Sequence, residues 1–240
     1  MKTMLIKVIL QFVRRIKMKF ENTEVWGFEH AVRGMRNPLN SWDKGDSGYI
    51  DRRFNDQFYI GKNDLDLAQR LIKAGSEHRK FLRQIFVSVD ITAPFYWWKE
   101  FDTYKVGTVA NSTSTMHKLA SMPITMDCFE MGDYCGFFET PWKNLIALLE
   151  QCRKEYNETK DKRYWKELIR LLPESWLQKR TITMNYENIL NMYYHRKNHK
   201  LNEWSGKDDP EKPNFCSWIF ELPYAKQFFI DPFEKGENKE

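Results

Sequence analysis

The segment 180–204 constrains the fold most, because its pattern changes there from that of a strand to that of a helix. It begins with RTITMNY at 180–186, a run that is typical of a strand. It continues with YENILNMYYHRKNHKLNEW at 186–204, where Ile189 and Tyr193 fall near one face of a predicted helix. A strand that passes directly into a helix indicates a fold that mixes both elements.

The middle of the chain adds further elements of both kinds. We predict a helix over 63–76, capped by Asp64 or Asn63 and ended by Gly75. A period of two in the apolar side chains predicts a strand in the second half of the run EHRKFLRQIFVSVDI, which covers 77–91. The two predictions place a helix directly before a strand.

The rest of the chain contributes helices and one polar loop. The strand is expected to break at 92–94, and Pro94 to start an aromatic helix over 94–105. The segment 106–118 is rich in small hydroxyl residues and is predicted to be a loop. Further helices are expected over 141–157, 162–172 and 215–222. Because strands and helices do not alternate strictly, the predicted fold class is α+β.

The length of 240 residues, 42% of them hydrophobic, suits one sizeable domain or two small ones. We predict a domain over 18–232, preceded by a basic extension at 1–17 and followed by a loose charged tail at 233–240. The first segment is apolar and basic, but its apolar run is too short to span a bilayer and no small-residue cleavage site follows it. A basic amphipathic helix on a membrane or partner stays open, although we favour a non-essential extension.

The charge and the cysteines bear on partners and location. A net charge of +5 could attract phosphates, but a solvated basic surface is the favoured interpretation. The cysteine spacing matches neither a Cys-x-x-Cys pair nor a zinc site, so we expect reduced thiols in a cytoplasmic protein and no metal. We also predict no nucleic-acid partner and no membrane partner. The four cysteines are Cys128, Cys135, Cys152 and Cys216.

Two polar clusters remain as candidate sites, because the chain has no Walker loop, GxGxxG, HExxH or GxSxG motif. The run NSTSTMHK at 111–118 could bind phosphate or flavin atoms by hydrogen bonds, or it could be a polar turn that caps a helix. In HRKNHK at 195–200, Arg196 and Lys200 share a helix face and could flank a nucleotide phosphate. From spacing alone, an exposed basic face is the favoured interpretation of this second cluster.

The C-terminal third carries a family resemblance. The run LLPESWLQKRTITMN at 171–185 and the run ILNMYYHR at 189–196 resemble the flavin-dependent thymidylate synthases. In that family a Leu-Pro turn leads to a strand that ends in Met-Asn or Val-Asn. A helix with a Leu-Arg pair follows, and an Ala-Gln-Trp comes a few residues later. The corresponding pairs here are Leu172-Pro173, Met184-Asn185, His195-Arg196 and Leu201-Asn202. The resemblance implies that family's fold, a mixed sheet flanked by helices in a single domain.

The middle of the chain extends this resemblance to about 65–222. Glu77-His78 resembles the family's Glu-His pair before an apolar strand, and Ala93-Pro94 resembles the segment that leads into the family signature. The runs WWKEF at 97–101 and TVANS at 108–112 are similar to a divergent branch from phages and low-GC bacteria.

The signature itself, Arg-His-Arg-x-x-Ser-x-Asn-x-x-Ser-x-Arg, is where the sequence departs from the family. Its Arg-His-Arg falls on Thr103-Tyr104-Lys105, and its last Arg falls on Thr115, so two arginines are replaced by threonine, while Lys105 keeps a charge. A threonine cannot make the bidentate phosphate contact of an arginine. A further family arginine falls on Ile169, one residue before Arg170. The residues that could compensate include Lys99, Lys105 and Lys118.

The resemblance implies an activity and a set of partners. In the family, dUMP is converted to dTMP with methylenetetrahydrofolate as the one-carbon donor, NADPH as the reductant and FAD as the cofactor. Each site is built from several subunits of a homotetramer. The resemblance therefore implies a methyltransferase that binds dUMP or a related pyrimidine nucleotide and forms a homotetramer.

The resemblance also implies roles for individual residues. Arg196 matches the family arginine that contacts the uracil and polarises it for attack, and is the implied catalytic residue. His78 matches a histidine near the isoalloxazine and the folate. The implied cofactor-binding residues are His78, Lys105, Thr108, Asn185, Asn191 and Lys200. The implied substrate-binding residues are Lys99, Glu100, Asn111, Ser112, Thr113, Thr115, Arg170 and Arg196.

Three functions stay open at this point. The first is an active, divergent flavin-dependent thymidylate synthase, and the second is a related enzyme that makes a modified base for phage DNA. The third is a catalytically silent protein that binds a pyrimidine nucleotide on the same scaffold. The cluster of Asn185, Asn191 and Arg196 favours the two enzymes, whereas the replaced arginines favour the silent protein.

Overall fold

The computed structural model describes residues 18–51 and 55–234 of the chain. The predicted extension at 1–17 lies outside the described residues, and so does 235–240, which makes up most of the predicted tail. Within the described part, the chain continues as a short helix up to Glu234.

The mixture of helices and strands confirms the predicted α+β class. Short 3₁₀ helices, such as Lys80–Gln84, lie among the longer elements. The helices and strands follow in the order β1 (Lys19–Trp26), α1 (Phe28–Met35), β2 (Gly48–Asp51), β3 (Asn55–Tyr59), α2 (Lys62–Lys73), β4 (Phe86–Pro94), α3 (Phe95–Phe101), β5 (Val109–Ser112), α4 (Thr115–Lys118), α5 (Glu139–Thr159), α6 (Lys162–Leu171), β6 (Leu177–Asn185), α7 (Tyr186–Arg196), α8 (Asn202–Ser205), α9 (Phe215–Ile219), α10 (Ala225–Phe229) and α11 (Asp231–Glu234).

The strands form one larger sheet and one hairpin. The larger sheet has the strand order β1-β4-β6-β5. Strands β2 and β3 pair antiparallel, with Gly48 opposite Tyr59 and Tyr49 opposite Phe58. In β4 the side chains of Val87, Val89 and Ile91 are all fully buried, which is the period-two pattern expected from the sequence.

The described chain divides into two compact units, each assembled from separate segments. The strands β1, β4 and β6 contribute residues to both units. The single domain over 18–232 therefore stays a prediction. The first unit contains the described residues up to Glu21, Asp90–Thr103 and Ala110–Thr181, and the second contains Asn22–Val89, Tyr104–Val109 and the described residues from Ile182 onward.

The core of the first unit forms beneath α5 and α6. Phe129, Leu149 and Leu168 are fully buried there. The Phe129 ring meets the edge of Trp176 at a centroid distance of 5.4 Å, an arrangement that aromatic pairs favour. This packing holds the segment that follows α4 against the two helices.

The core of the second unit fixes the start of α7. Tyr186, the first residue of that helix, is fully buried and its ring lies 5.6 Å from Phe28 and 5.4 Å from Phe229. Its hydroxyl donates to the carbonyl oxygen of Pro223 at 2.7 Å, which satisfies the polar end of a buried side chain. Ile189 and Leu190 are buried on the same helix.

Several element boundaries differ from the predictions. Strand β4 continues through Pro94, whose missing N–H is tolerated at the last residue of a strand, and helix α3 ends at Phe101 rather than 105. The predicted loop at 106–118 contains β5, which pairs with β6, and the short helix α4. Helix α7 ends at Arg196 instead of continuing to 204, and the polar residues 197–200 separate it from the short helix α8.

The predicted cap of the second helix was also wrong. Helix α2 starts at Lys62 with Gly61 as its N-cap, and Asp64 lies inside the helix. The Asp64 carboxylate instead forms a buried ion pair with Arg36 at 2.5 Å and accepts a hydrogen bond from the Ser47 hydroxyl. A buried partner attracts the carboxylate more strongly than a helix terminus, so the residue serves tertiary structure.

Candidate functional site

The junction between β6 and α7 forms the centre of the polar cluster in the second unit. Asn185 is the N-cap of α7 and accepts a hydrogen bond from the Asn188 backbone N–H at 2.9 Å. The Asn188 side chain accepts in return from the Asn185 backbone N–H at 3.2 Å, which completes a capping box. The cap therefore fixes the position of Asn185, a predicted cofactor-binding residue.

A short strap, defined as Tyr104–Thr108, packs on this helix start. Asn188 donates from Nδ2 to the carbonyl oxygen of Val106 at 2.8 Å, and Thr108 donates from Oγ1 to the carbonyl oxygen of Tyr104 at 2.6 Å. Gly107 has a φ of +76°, and a Cβ added there would lie 3.0 Å from Asn188 Oδ1. The strap thus needs glycine at this point, both for its backbone and for the close approach.

Arg196 lies at the last residue of α7, near two aromatic rings. Its Nε donates to the Tyr104 hydroxyl at 2.9 Å. Its guanidinium carbon lies 5.3 Å from the centre of the Tyr104 ring and 5.0 Å from the centre of the Trp204 ring. The structure therefore brings the predicted catalytic arginine next to the strap, whereas Asn185 lies at the opposite end of the same helix.

Asn191 is held by a partly buried charge cluster that includes Glu187, one helical turn earlier on α7. Arg79 donates from Nη2 to Asn191 Oδ1 at 3.0 Å and from Nε to Glu187 at 3.1 Å, and Arg83 also donates to Glu187. Burial raises the pKa of Glu187, but the hydrogen bonds from Arg83 and Arg79 outweigh it, so this pKa lies below its usual value. Glu187 therefore stays ionised and fixes the arginine that orients Asn191.

His78 lies in the second unit at a separate cavity of about 590 Å³. Its lining is mostly apolar and includes Leu67, Leu71 and Phe81, with Gln84 at the polar edge. A cavity of this size and lining suits part of a flat heterocycle. The predicted cofactor-binding histidine thus lines a pocket, although His78 makes no contact with the Arg196 cluster in the described structure.

The hydroxyl-rich segment belongs to the first unit and is fixed by β6. The Thr113 backbone N–H donates to the carbonyl oxygen of Lys179 at 2.9 Å. The Gln178 side chain donates to the carbonyl oxygen of Thr113 at 2.8 Å and accepts from Arg180 Nε at 2.9 Å. Arg180 in turn pairs with Asp102 at 2.7 Å and lies over the ring of Trp98. This chain of contacts fixes the backbone at Thr113.

A cavity of about 1140 Å³ opens beside this segment in the first unit. Trp176 and Leu177 supply apolar surface, while hydroxyl side chains and lysines supply polar surface. Such a mixture suits a ligand with a flat ring and an anionic group. The polar lining residues are Lys19, Thr92, Thr113, Ser114, Thr115, Lys118, Ser121, Asp127, Cys128 and Lys179.

Lys179 is already paired at this cavity. Its ammonium group lies 2.9 Å from Asp90 and 3.7 Å from Glu21. The hydrogen bond with Asp90 raises the pKa of Lys179. In contrast, no ion pair involves Lys118 within 18–51 and 55–234. Lys19, the third lysine of the lining, is likewise in no ion pair among the described residues, so both Lys118 and Lys19 can offer their charge to a ligand.

Several of the predicted substrate-binding and cofactor-binding residues either contact other protein groups or are exposed. Lys99 forms an ion pair with Glu174 at 2.6 Å, and Arg170 forms one with Glu167 on its own helix. Glu100 accepts from the Thr103 hydroxyl through its carbonyl oxygen at 2.7 Å. The side chains of Lys105, Asn111, Ser112 and Lys200 are exposed.

The contributors to the site that the sequence interpretation missed include Arg79, Gln178, Arg180 and Glu187. Gln178 and Arg180 are two residues apart on β6, so a period of two would have placed them on one face of the strand. Arg79 and Glu187 are 108 positions apart, and no local pattern pairs them. The first pair was therefore accessible to sequence reasoning and the second was not.

The cysteines and the remaining acidic groups do not form another reactive site in the described structure. Burial raises the pKa of Cys152 and raises that of Cys216 to about 11, so both stay protonated at neutral pH. All four cysteines are free thiols. Across 18–51 and 55–234, no three His, Cys, Asp or Glu side chains are grouped so that they could hold a metal ion. None of the helices described there is long and apolar enough to cross a membrane.

Comparisons with known proteins show the fold. No protein-family model matches the chain, and no curated protein matches its sequence. A crystal structure of thymidylate synthase X (ThyX) from Helicobacter pylori with FAD and dUMP matches with a TM-score of 0.61 and 16% identity, over 91% of this chain and 99% of that chain. A second structure of the H. pylori flavin-dependent enzyme, also with FAD and dUMP, matches with a TM-score of 0.61 and 15% identity, over 90% and 98%.

A third solved structure has a related but different activity. The UMP/dUMP methylase PolB from Streptomyces cacaoi, bound with 5-Br UMP, matches with a TM-score of 0.53 and 13% identity, over 92% of this chain and 95% of that chain. The chain therefore has the fold of the flavin-dependent thymidylate synthases, as the sequence resemblance predicted.

Proposed function

We propose that this chain, which has the flavin-dependent thymidylate synthase fold, is an FAD-dependent methyltransferase that acts on dUMP or a related pyrimidine nucleotide. The proposed reaction is the conversion of dUMP to dTMP with methylenetetrahydrofolate and NADPH. A homotetramer in the cytoplasm is part of the same proposal. The likeness to ThyX over 99% of the length of that chain supports it, because no large piece of the scaffold is lacking.

The observation that carries the proposal is the arrangement around Arg196. The helix that starts at the capped Asn185 ends at this arginine, and the aromatic contacts of Tyr104 and Trp204 orient its guanidinium. A guanidinium presents several N–H donors in a fixed plane, which suits the carbonyl oxygens of a uracil ring. We propose that Arg196 donates to such an oxygen and withdraws electron density from the ring.

The residues around α7 fit the polar edge of a flavin. An amide side chain has two donors and two acceptor positions, so the contact between Asn191 and Arg79 leaves capacity for a ligand. Asn185 is positioned by its cap in the same way. We propose that Asn185, Asn191, Lys105, Thr108 and Lys200 would hold FAD, with His78 at its ring. When bound, FAD would supply the redox chemistry that turns a one-carbon unit into a methyl group.

The cavity of the first unit fits the nucleotide. Its hydroxyl side chains, including Thr113 and Thr115, can donate to phosphate oxygens, and Lys118 can offset their charge. Trp176 provides an apolar surface nearby. We propose that this cavity of the first unit binds a nucleotide phosphate, with Asn111 and Ser112 of strand β5 and with Glu100, Lys99 and Arg170 as further contacts.

A second candidate function is a silent nucleotide-binding protein. Lys99 and Arg170, which could have offset the replaced signature arginines, form ion pairs with Glu174 and Glu167. This pairing reduces the charge that they can offer to a phosphate. A related possibility is an enzyme that methylates a different pyrimidine, such as one that makes a modified base for phage DNA. The likeness to the UMP/dUMP methylase PolB favours this function over an entirely different chemistry.

The visible absorption spectrum of the full-length protein tests the proposal. The protein is titrated with FAD, then with dUMP, and the variant Arg196→Gln serves as a comparison. We expect a bound-flavin spectrum that dUMP perturbs in the wild type and perturbs less in the variant. Binding of dUMP without any flavin binding would support the silent protein instead. The absence of both would contradict both functions.

A further inference from the structure

Arg196 contacts two aromatic rings in the second unit. Tyr104 approaches it from the strap, with a hydrogen bond of 2.9 Å from Arg196 Nε to the phenol oxygen and a distance of 5.3 Å between the guanidinium carbon and the ring centre. Trp204 approaches it from α8, with its ring centre at 5.0 Å. Both distances fall within the range of cation–π contacts.

The Tyr104 ring is itself held in place. The backbone carbonyl oxygen of Tyr104 accepts a hydrogen bond from the Thr108 hydroxyl. The carbonyl oxygen of Val106, two residues further along the strap, accepts one from the Asn188 side chain. The ring also stacks on His195, at a centroid distance of 6.2 Å and an angle of 20° between the planes. The strap therefore presents the phenol at a defined position next to the end of α7.

The Trp204 ring is held by packing in the core of the second unit. It is fully buried and meets the edge of Phe215 at a centroid distance of 5.0 Å. A fully buried ring with such a contact is held in place by its neighbours, because protein interiors are close-packed. Arg196 therefore contacts one ring fixed by hydrogen bonds and one fixed by packing.

We infer that Tyr104 is a positioning residue for Arg196, holding the guanidinium plane in the orientation that a pyrimidine base requires. The Tyr104 and Trp204 rings are both held in place, so their contacts fix the guanidinium at the end of α7. The sequence position is informative as well, because Tyr104 falls where the related synthases have the histidine of their Arg-His-Arg. The role of Tyr104 in nucleotide binding rests on the proposed function, whereas its effect on the orientation of the Arg196 guanidinium does not.

The orientation can be measured without any nucleotide. In the full-length protein, the arginine Nε–H signals are recorded by two-dimensional ¹H–¹⁵N NMR, and Arg196→Lys identifies the Arg196 signal. We expect a resolved signal that is shifted by the aromatic rings and protected from solvent exchange. Tyr104→Phe keeps the ring but removes the hydrogen bond, so exchange should become about tenfold faster. An unshifted, rapidly exchanging Arg196 signal in the wild type would overturn the inference.

Binding then tests the functional part. Calorimetric titration with dUMP compares the wild type, Tyr104→Phe and the control Tyr164→Phe, a tyrosine on α6 in the first unit. We expect the dissociation constant to rise about tenfold for Tyr104→Phe and to stay unchanged for Tyr164→Phe. Equal binding by the wild type and Tyr104→Phe would overturn the inference while leaving the proposed function intact. A wild type that binds no pyrimidine nucleotide would refute the proposed function, and the NMR signal would still decide the orientation.

Discussion

Gln178 donates from its side-chain nitrogen to the carbonyl oxygen of Thr113 at 2.8 Å, and this bond joins the hydroxyl-rich segment to strand β6. Gln178 is buried, and its side-chain oxygen accepts from Arg180 at 2.9 Å. A single amide thus connects a paired arginine to the backbone of the proposed nucleotide site. The hydrogen bond between Gln178 and Thr113 therefore contributes both to the stability of the first unit and to the shape of its cavity.

Replacement of this amide should therefore affect both properties. Gln178→Leu leaves the Thr113 carbonyl and the Arg180 donor without their partner, so the free energy of unfolding should fall by about 1–3 kcal/mol. Urea unfolding measures it. Gln151→Leu, at an exposed position of α5, is the matched control and should change the free energy by less than about 0.5 kcal/mol. Equal effects of the two variants would contradict the role of the Gln178 bonds.

The strap provides a second test through its glycine. Gly107→Ala places a Cβ 3.0 Å from Asn188 Oδ1 at a φ of +76°, and should lower the free energy of unfolding by about 1–2 kcal/mol. Gly136→Ala is the control, since a Cβ there would meet no atom within 4 Å. Thermal unfolding of the two variants should therefore diverge, with a lower midpoint only for Gly107→Ala.

Lys118, which lines the larger cavity, should recognise the phosphate of the nucleotide rather than its base. Lys118→Gln removes a charge from the cavity lining, so the affinity for dUMP should fall about tenfold while that for deoxyuridine stays unchanged. Lys166→Gln, on the exposed surface of α6, should alter neither. Isothermal titration with both ligands checks the difference. A parallel loss of affinity for both ligands would place Lys118 away from the phosphate.

Two aspartates on α2 should differ strongly in their effect on stability. Asp64 is almost fully buried with Arg36, whereas Asp66 forms an exposed pair with Arg70. Asp64→Asn leaves a buried guanidinium without its charge partner and should lower the free energy of unfolding by about 3–5 kcal/mol. Asp66→Asn should lower it by less than about 0.5 kcal/mol. Urea unfolding at pH 7 compares them, and similar values would contradict the buried pair.

Glu150 should make stability depend on pH in the acid range. The hydrogen bond from Arg153 lowers its pKa to about 2 in the folded protein, against 4.5 for the ordinary side chain. Because the folded pKa is the lower one, this stabilisation is complete above pH 4.5 and is lost as the pH falls towards 2. Glu150→Gln should remove it, about 1 kcal/mol at pH 7 after solvent screening. The free energies of unfolding of the wild type and of Glu150→Gln should therefore converge as the pH falls from 7 towards 2.

The sequence predicted the long and strongly patterned elements of the fold. Helices α5 and α6 and the direct passage from β6 into α7 all follow from local patterns, and the structure confirms them. Strand β1 was not predicted, because most of its side chains are exposed and show no apolar period. The structure also shows β5 in a segment that was predicted as a loop, since a short exposed strand is defined by its pairing with β6 rather than by its own residues.

The candidate site was predictable only where the sequence resembles known synthases. Arg196, Asn185 and Asn191 were predicted as site residues from the family resemblance, and their site roles stay predictions. The Arg79–Glu187 contact joins residues far apart in the chain, and the support of Arg196 by Tyr104 joins two distant segments. Such contacts depend on the tertiary fold, which no local period encodes.

The discontinuous composition of the two compact units has a consequence for how the chain can be divided. Each unit draws on three separate stretches of sequence, so no single cut releases either one as an intact fragment. A truncation that removes the segment after Ile182 takes away part of the second unit and also breaks strand β6, which the first unit needs. Native structure in either unit therefore depends on contacts between residues far apart in the sequence, a topology that slows folding relative to locally connected folds.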